Sequence, residues 1–244
     1  MQTTRYVYLN GQILPAEQAS ISPFDLGLLR GYGVFDLLQT INGTPFLLPE
    51  HLERFRASAD TLGLTVPVTD SEITEALLEL LELNRHVEAT VRMVLTGGES
   101  PDGMTFDPSS PTFYIVTHEL FDVPEHVYES GAKLITAEHR REFPQAKTTN
   151  YLTWVQHHPR IAAAGAMDVL YHSDGIVSEC ATASFYVVID GAIHAPAEGV
   201  LRGTVGQYVL DLARPRFEVV LGELTLQETL DADEAFLTDR KSVV

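Results

Sequence analysis

Lysine is scarce in this chain, which narrows the residues that could carry amine chemistry. The 244 residues include 13 arginines but three lysines, Lys133, Lys147 and Lys241. Arginine stays protonated and cannot form an imine, whereas lysine can once desolvation lowers its pKa. Lys133 falls on the polar face of an alternating stretch, and Lys241 lies near the C-terminus, where chains fray. Lys147, in a loop running into a helix, is therefore the candidate for imine formation, although most lysines in such loops are simply surface residues.

Two arginines could bind a carboxylate. Arg30 lies beside a Gly-Tyr-Gly stretch, and Arg92 lies within an apolar strand between Val91 and Met93. An arginine among apolar neighbours needs a partner of opposite charge. That partner is either a substrate carboxylate or a buried acidic side chain, and the residues alone do not decide between them.

Other candidate site residues could also have purely structural roles. Glu179 could be a solvated residue at the start of a strand, and Tyr151 a core aromatic on a helix face. Arg54, in a His-x-x-Arg helix, could be an exposed charge. A Gly-rich loop, 198–206, precedes a helix predicted from Gln207, and a helix N-terminus behind such a loop is a ready anion site.

Three stretches together resemble the core signature of the class IV aminotransferases, which are fold-type IV pyridoxal-phosphate (PLP) enzymes. They are Lys-Thr-Thr-Asn-Tyr-Leu at 147–152, Asp-Gly-Ile-Val-Ser-Glu at 174–179 and Ser-Phe-Tyr-Val-Val at 184–188. The resemblance covers nearly the whole chain. It implies a two-domain α+β architecture, a homodimer and PLP as cofactor.

The resemblance also implies roles around the cofactor ring. Lys147 would hold PLP as an imine and move the proton between substrate and cofactor. Glu179 would face the pyridine nitrogen, so that the ring stays an electron sink. Tyr151 would lie near the phenolate oxygen of the cofactor.

Around the cofactor phosphate, the resemblance points to Arg54 and to a loop of Gly203, Thr204 and Val205, with Thr238 after the last strand. A guanidinium gives bidentate charge-assisted bonds to phosphate. The chain departs from the family pattern here, because Val205 stands where relatives have a threonine. Backbone N–H groups could still serve, and weaker cofactor affinity is the expected consequence.

The substrate side is similar to a group of noncanonical D-amino-acid transaminases, in which two arginines hold the α-carboxylate, one of them from the partner subunit. The matching residues are Arg30, Tyr32, Phe35 and Arg92. We therefore expect amino transfer between a D-amino acid and a 2-oxo acid. The alternatives are a branched-chain L-amino-acid aminotransferase, an aminodeoxychorismate lyase and a degenerate, non-catalytic homologue.

Composition excludes several classes of partner. The net charge of −18 argues against nucleic acid and against anionic membrane surfaces, since both need facing Lys and Arg. No apolar run approaches the roughly 20 residues of a membrane span. Residues 1–6 lack a signal-peptide pattern, and the single cysteine, Cys180, fits a reducing compartment, so we predict a cytoplasmic location. The acidic surface also suggests adaptation to high salt.

The predicted elements divide the chain into two α+β domains. Hairpin turns are expected where Asn or Asp precedes Gly, at 10–11, 42–43 and 190–191. We predict an N-terminal domain at 1–117, an interdomain linker at 118–127 and a C-terminal PLP-binding domain at 128–244. The main helices are predicted at 48–59, 71–83, 150–164 and 207–213.

Overall fold

The computed structural model describes residues 5–120 and 125–239. The chain divides into two compact units: an N-terminal unit of Met1–Phe121 with Ala146–Asn150, and a C-terminal unit of Asp122–Gln145 with Tyr151–Val244. The domain limits predicted from sequence stay a prediction, and residues 121–124 of the predicted linker lie outside the described residues. Within the described part of the chain, no helix is long and apolar enough to cross a membrane.

A six-stranded antiparallel sheet forms the N-terminal unit, in the order β2-β1-β6-β5-β3-β4. Asn10–Gly11 and Asn42–Gly43 close its two hairpins with positive φ angles, which confirms both predicted turns. The strands are β1 (Tyr6–Leu9), β2 (Gln12–Pro15), β3 (Gly33–Ile41), β4 (Thr44–Pro45), β5 (Ala89–Thr96) and β6 (Thr112–Glu119).

Two long helices cover one face of this sheet. They are α2 (Leu48–Thr61) and α3 (Asp70–Asn84), and a short α1 (Leu26–Arg30) precedes β3. Apolar residues at helical spacing bury Phe55 and Leu77 completely against strand residues such as Leu38. Because side chains alternate along a strand, Phe35 and Leu37 point to the opposite face of β3.

The C-terminal unit contains two sheets. One has the order β12-β11-β10-β13 and the other β7-β8-β9. The strands are β7 (Leu134–Glu138), β8 (Asp168–Ser173), β9 (Ile176–Cys180), β10 (Ser184–Ile189), β11 (Ala192–Pro196), β12 (Val219–Gly222) and β13 (Glu234–Thr238). The helices are α4 (Glu125–Ser130), α5 (Leu152–Ala164), α6 (Thr204–Ala213) and α7 (Leu226–Asp231).

Helix α6 corrects one prediction from the sequence. The glycines suggested a loop as far as residue 206, with the helix starting at Gln207, but the helix already starts at Thr204. Gly206 lies in its first turn, where a side chain would collide with the hydroxyl of Tyr186. Glycine is used at this position for close approach, not for flexibility.

Candidate active site

The backbone around Lys147 is held against β3, where Thr148 forms an isolated antiparallel bridge with Val34. The amide of Phe35 donates to the Lys147 carbonyl at 2.9 Å, and the amide of Thr149 donates to the Gly33 carbonyl at 2.9 Å. On its other side, the Lys147 amide donates to Ser58 Oγ of α2 at 3.1 Å. The segment that looked like a loop in the sequence is therefore anchored on both sides, which gives its side chain a rigid base.

The Lys147 side chain lies on the sheet face opposite the helices. Its Nζ is 4.9 Å from the centroid of the Phe35 ring, and Arg92 Cζ is 5.6 Å from the same centroid. Both distances are in the range of cation–π attraction. Arg92 is the exposed residue of the otherwise buried strand β5. The Phe35 ring thus lies beside both Lys147, whose amine can exchange a proton, and Arg92, whose guanidinium stays charged.

Arg54 is held by a carboxylate that the sequence analysis did not single out. Asp36 is fully buried and accepts bonds from Arg54 Nε and Nη2, each at 2.8 Å, while His51 Nδ1 lies 2.7 Å away. Burial alone would raise the pKa of Asp36, but the Arg54 charge and the bonds from His51 and Arg54 lower it to about 2. Arg54 Nη1 lies outside this fork. The signal available in the sequence was an acidic residue inside an apolar strand.

Arg30 and Tyr32 have contacts elsewhere in the N-terminal unit. Arg30 ends α1, and its Nη1 donates to the Leu29 carbonyl at 2.9 Å. The Tyr32 hydroxyl donates to the Leu62 carbonyl, and its ring packs on Phe106. Of the four predicted substrate residues, the structure therefore brings Phe35 and Arg92 together with Lys147, and it gives Arg30 and Tyr32 other neighbours.

Glu179 lies in β9 and is buried within the C-terminal unit, with 4% of its surface exposed. It forms an ion pair with Arg141 and accepts a bond from the Leu201 amide at 3.1 Å. Sequence reasoning missed Arg141, since nothing in the local pattern ties it to a residue 38 positions away. An acidic side chain that is held this way has a fixed orientation. Tyr151, also in this unit, is the N-cap residue of α5.

The remaining predicted residues surround the start of α6. Gly203 is its N-cap residue and makes no side-chain capping bond, and Thr204 and Val205 lie in its first turn. Thr238 ends β13 and is 3% exposed. Among residues 5–120 and 125–239, the buried Thr238 Oγ1 has no hydrogen-bond partner. Uncapped amides beside an unpaired hydroxyl are typical of an anion site.

Comparison with known proteins identifies the family. The profile of the family Amino-transferase class IV matches residues 33–239. The chain is a class IV aminotransferase. This aminotransferase is 32% identical over 244 residues to a Methanocaldococcus jannaschii protein provisionally named a branched-chain-amino-acid aminotransferase, covering 95% of this chain and 83% of that protein. It is 27% identical over 248 residues to D-alanine aminotransferase of Bacillus licheniformis, covering 98% and 86%.

Solved structures agree with the family and the predicted fold. The T.th. branched-chain amino acid aminotransferase, solved with pyridoxamine 5'-phosphate, matches with a TM-score of 0.88 and 25% identity, over 99% of this chain and 84% of that one. The predicted two-domain α+β fold of fold-type IV enzymes is thereby confirmed. Relatives named as branched-chain and as D-alanine aminotransferases both match, as does an aminodeoxychorismate lyase.

The residues present fit the cofactor of the family. Class IV aminotransferases are PLP-dependent, so PLP is the cofactor of this aminotransferase. PLP needs an amine, a carboxylate for its ring nitrogen and donors for its phosphate. The chain offers Lys147 on a rigid backbone, the oriented Glu179, and the uncapped amides of α6 next to the unpaired Thr238 hydroxyl. Val205 offers no hydroxyl to a phosphate, so the weaker cofactor affinity expected from the sequence stays a prediction.

Proposed function

We propose that this aminotransferase moves the amino group of a D-amino acid to a 2-oxo acid, and that Arg92 binds the substrate α-carboxylate. The observation that carries the proposal is the joint position of Lys147 Nζ and the Arg92 guanidinium beside the Phe35 ring. A substrate held at Arg92 by its carboxylate would have its amine-bearing carbon on the side of the sheet where Lys147 lies. The preference for the D-enantiomer rests on the resemblance of these residues to D-amino-acid transaminases.

The other residues have roles that follow from their chemistry. PLP, when bound, supplies the electron sink that acidifies the substrate Cα–H bond. Lys147 Nζ would take that proton and return it, while Glu179 would keep the ring nitrogen protonated and Tyr151 would donate to the phenolate oxygen. Arg54 Nη1, which Asp36 leaves outside its fork, and the first amides of α6 would bind the phosphate.

Replacing Arg92 with alanine tests the proposal. Bonds to a charged group contribute about 1.5–3 kcal/mol, so kcat/KM for D-alanine or D-glutamate with 2-oxoglutarate should fall by roughly 10- to 150-fold. A primary amine without a carboxylate should be processed at an unchanged rate. The matched control is Arg56→Ala, because Arg56 of α2 pairs with Asp70, and this variant should keep wild-type activity. An equal loss with the amine and the amino acid would contradict the role of Arg92.

The second candidate is amino transfer from branched-chain L-amino acids. The 32% identity to the Methanocaldococcus jannaschii relative and the match to the T.th. enzyme favour it. L-leucine would then be the better donor in the same assay, with D-alanine inactive. Release of pyruvate from aminodeoxychorismate over many turnovers without an acceptor acid would instead indicate lyase chemistry.

We further propose that the enzyme is a homodimer. Large apolar side chains near α1 are strongly exposed, with Phe24 at 60% and Leu28 at 71%. Exposed apolar groups of this size are common where a second subunit packs. Light scattering coupled to size exclusion should give about twice the chain mass of 26.9 kDa, and a monomer that is fully active would contradict the proposal.

A further inference from the structure

We propose that Ser58 is a positioning residue of the reaction, whose hydroxyl fixes the backbone of Lys147 to helix α2 and so sets where the lysine amine can react. The inference rests on the proposed function, because it requires Lys147 to be the residue that bonds to the cofactor. The residues concerned, including 146–150, all belong to the N-terminal unit.

The Ser58 hydroxyl joins two parts of the chain that lie far apart in sequence. It donates to the carbonyl of Arg54, one turn earlier in α2, at 2.8 Å, and it accepts from the amide of Lys147, 89 positions away, at 3.1 Å. A hydroxyl that donates to one group becomes a better acceptor for the next. One side chain therefore connects the backbone of the arginine proposed for the phosphate with the backbone of the lysine proposed for the imine.

Packing alone does not explain a serine at position 58. It lies on the buried face of α2 with Phe55 and Ala59, and all three side chains are fully buried. Alanine fits such a face and favours a helix more than serine does, because a serine hydroxyl competes for backbone groups. The hydroxyl is thus explained by a group outside the helix, and the Lys147 amide is such a group.

The Lys147 amide also needs this acceptor. It belongs to the peptide bond that follows the fully buried Ala146, and a buried backbone N–H is rarely left without a partner. The carbonyl of Lys147 accepts from the Phe35 amide of β3 at 2.9 Å. The backbone of Lys147 is thus held to β3 on one side and to α2 on the other, and removal of the Ser58 hydroxyl would release the α2 side.

A fixed backbone matters because the lysine amine must meet the cofactor aldehyde at a defined place. The amine nitrogen bonds to the aldehyde carbon, and the aldehyde oxygen leaves as water with both amine protons. The rate depends on how often the amine lies in the reactive geometry, and a small displacement of a reacting group is costly. The alternative is that Ser58 only satisfies a buried amide, in which case its loss lowers stability and leaves the reaction rate of the folded protein unchanged.

The test compares Ser58→Ala with the wild type well below both melting temperatures. Borohydride trapping at successive times gives the rate at which PLP bonds to Lys147, and this rate should fall about 5- to 150-fold, the factor expected when a buried N–H loses its acceptor. The dissociation constant of pyridoxamine 5'-phosphate, which has no aldehyde, should stay within about twofold. Hydrogen exchange of the Lys147 amide, measured without cofactor, should become faster.

The matched control is Thr61→Val. Thr61 makes the same kind of bond, to the Ala57 carbonyl at 2.9 Å, in the last turn of the same helix. This variant should bond to PLP and exchange the Lys147 amide as the wild type does. If Ser58→Ala does not fold, Ser58→Cys takes its place, because a thiol has nearly the same shape and accepts hydrogen bonds only weakly. It must then show the slower bonding to Lys147.

Three outcomes would overturn the inference. An unchanged bonding rate in a folded Ser58 variant refutes it and, with Lys147 labelled in the wild type, leaves the proposed function standing. Equal losses in the bonding rate and in the affinity for pyridoxamine 5'-phosphate assign Ser58 to the packing of α2 and not to the placement of Lys147. A wild-type protein labelled on another lysine removes the proposed role of Lys147 and this inference with it.

Discussion

Replacing Asp36 with asparagine removes the charge that orients the Arg54 guanidinium while keeping the size of the side chain. Asp36 is fully buried and accepts two bonds of 2.8 Å from Arg54 and one of 2.7 Å from the Leu37 amide. The Arg54 side chain is 13% exposed, so water replaces little of what is lost. The variant therefore leaves a nearly buried cation facing a neutral amide.

Two estimates give the loss of folding stability expected in Asp36→Asn. One pKa unit corresponds to about 1.4 kcal/mol, so lowering the pKa of Asp36 from 3.8 to about 2 stabilises the folded state by about 2–3 kcal/mol. Removing one partner of a buried ion pair costs about 3–5 kcal/mol in other proteins. We expect a loss of about 2–5 kcal/mol, which for a chain of this size lowers Tm by roughly 4–20 °C.

The effect has a defined pH dependence. The pKa of Asp36 is lower in the folded than in the unfolded chain, so its stabilisation is fully present above about pH 4 and is lost as the pH falls towards 2. The difference between wild type and Asp36→Asn should therefore be constant from pH 7 to pH 5 and shrink below pH 4.

Urea denaturation at pH 7, 5 and 3 measures these differences, and PLP titration reports the consequence for Arg54. The matched control is Asp70→Asn, because Asp70 pairs with Arg56 of the same helix as Arg54 but is 57% exposed. Exposed pairs contribute about 0–1 kcal/mol. Equal losses of stability in the two variants would refute the reasoning, because burial would then play no part.

Three further predictions concern other parts of the chain. Gly206→Ala should weaken PLP binding and destabilise the folded protein by about 1–3 kcal/mol, because the added methyl group would collide with Tyr186. The control is Gly222→Ala, whose methyl group meets open space and should be tolerated. Equal melting temperatures of the two variants would contradict this prediction. Arg141→Met should lower stability by about 3–5 kcal/mol and weaken PLP binding, because it removes the cation that forms an ion pair with the buried Glu179. Arg214→Met, in the exposed pair with Asp211, should change little in the same titrations. With a net charge of −18, Tm should rise as KCl increases from about 0.1 to 1 M and the screening length falls from about 10 to 3 Å; a flat or falling Tm would refute the salt hypothesis.

The sequence allowed local features to be predicted well. Asn-Gly and Asp-Gly pairs mark the hairpin turns, because few other residues adopt positive φ angles in succession. The rarity of lysine pointed to Lys147, and an arginine in an apolar strand pointed to Arg92. These inferences needed residue types and short-range geometry only.

Long-range partners could not be predicted in this way. Asp36 and Arg54 are 18 positions apart, and Arg141 and Glu179 are 38 apart, so their pairing depends on how strands and helices pack. The start of α6 was misplaced for the same reason. Its glycines look like a loop until the hydroxyls packed against them are known.

Chemical trapping of the cofactor on the protein tests the central claim most directly. Borohydride reduction of the PLP complex, followed by peptide mass spectrometry, shows which lysine holds the cofactor. Because the chain has three lysines, the answer is unambiguous. The account predicts a phosphopyridoxyl group on Lys147, and its loss when a D-amino acid is added before reduction. A label on Lys133 or Lys241, or a label on Lys147 that an amino-acid donor never displaces, would contradict it.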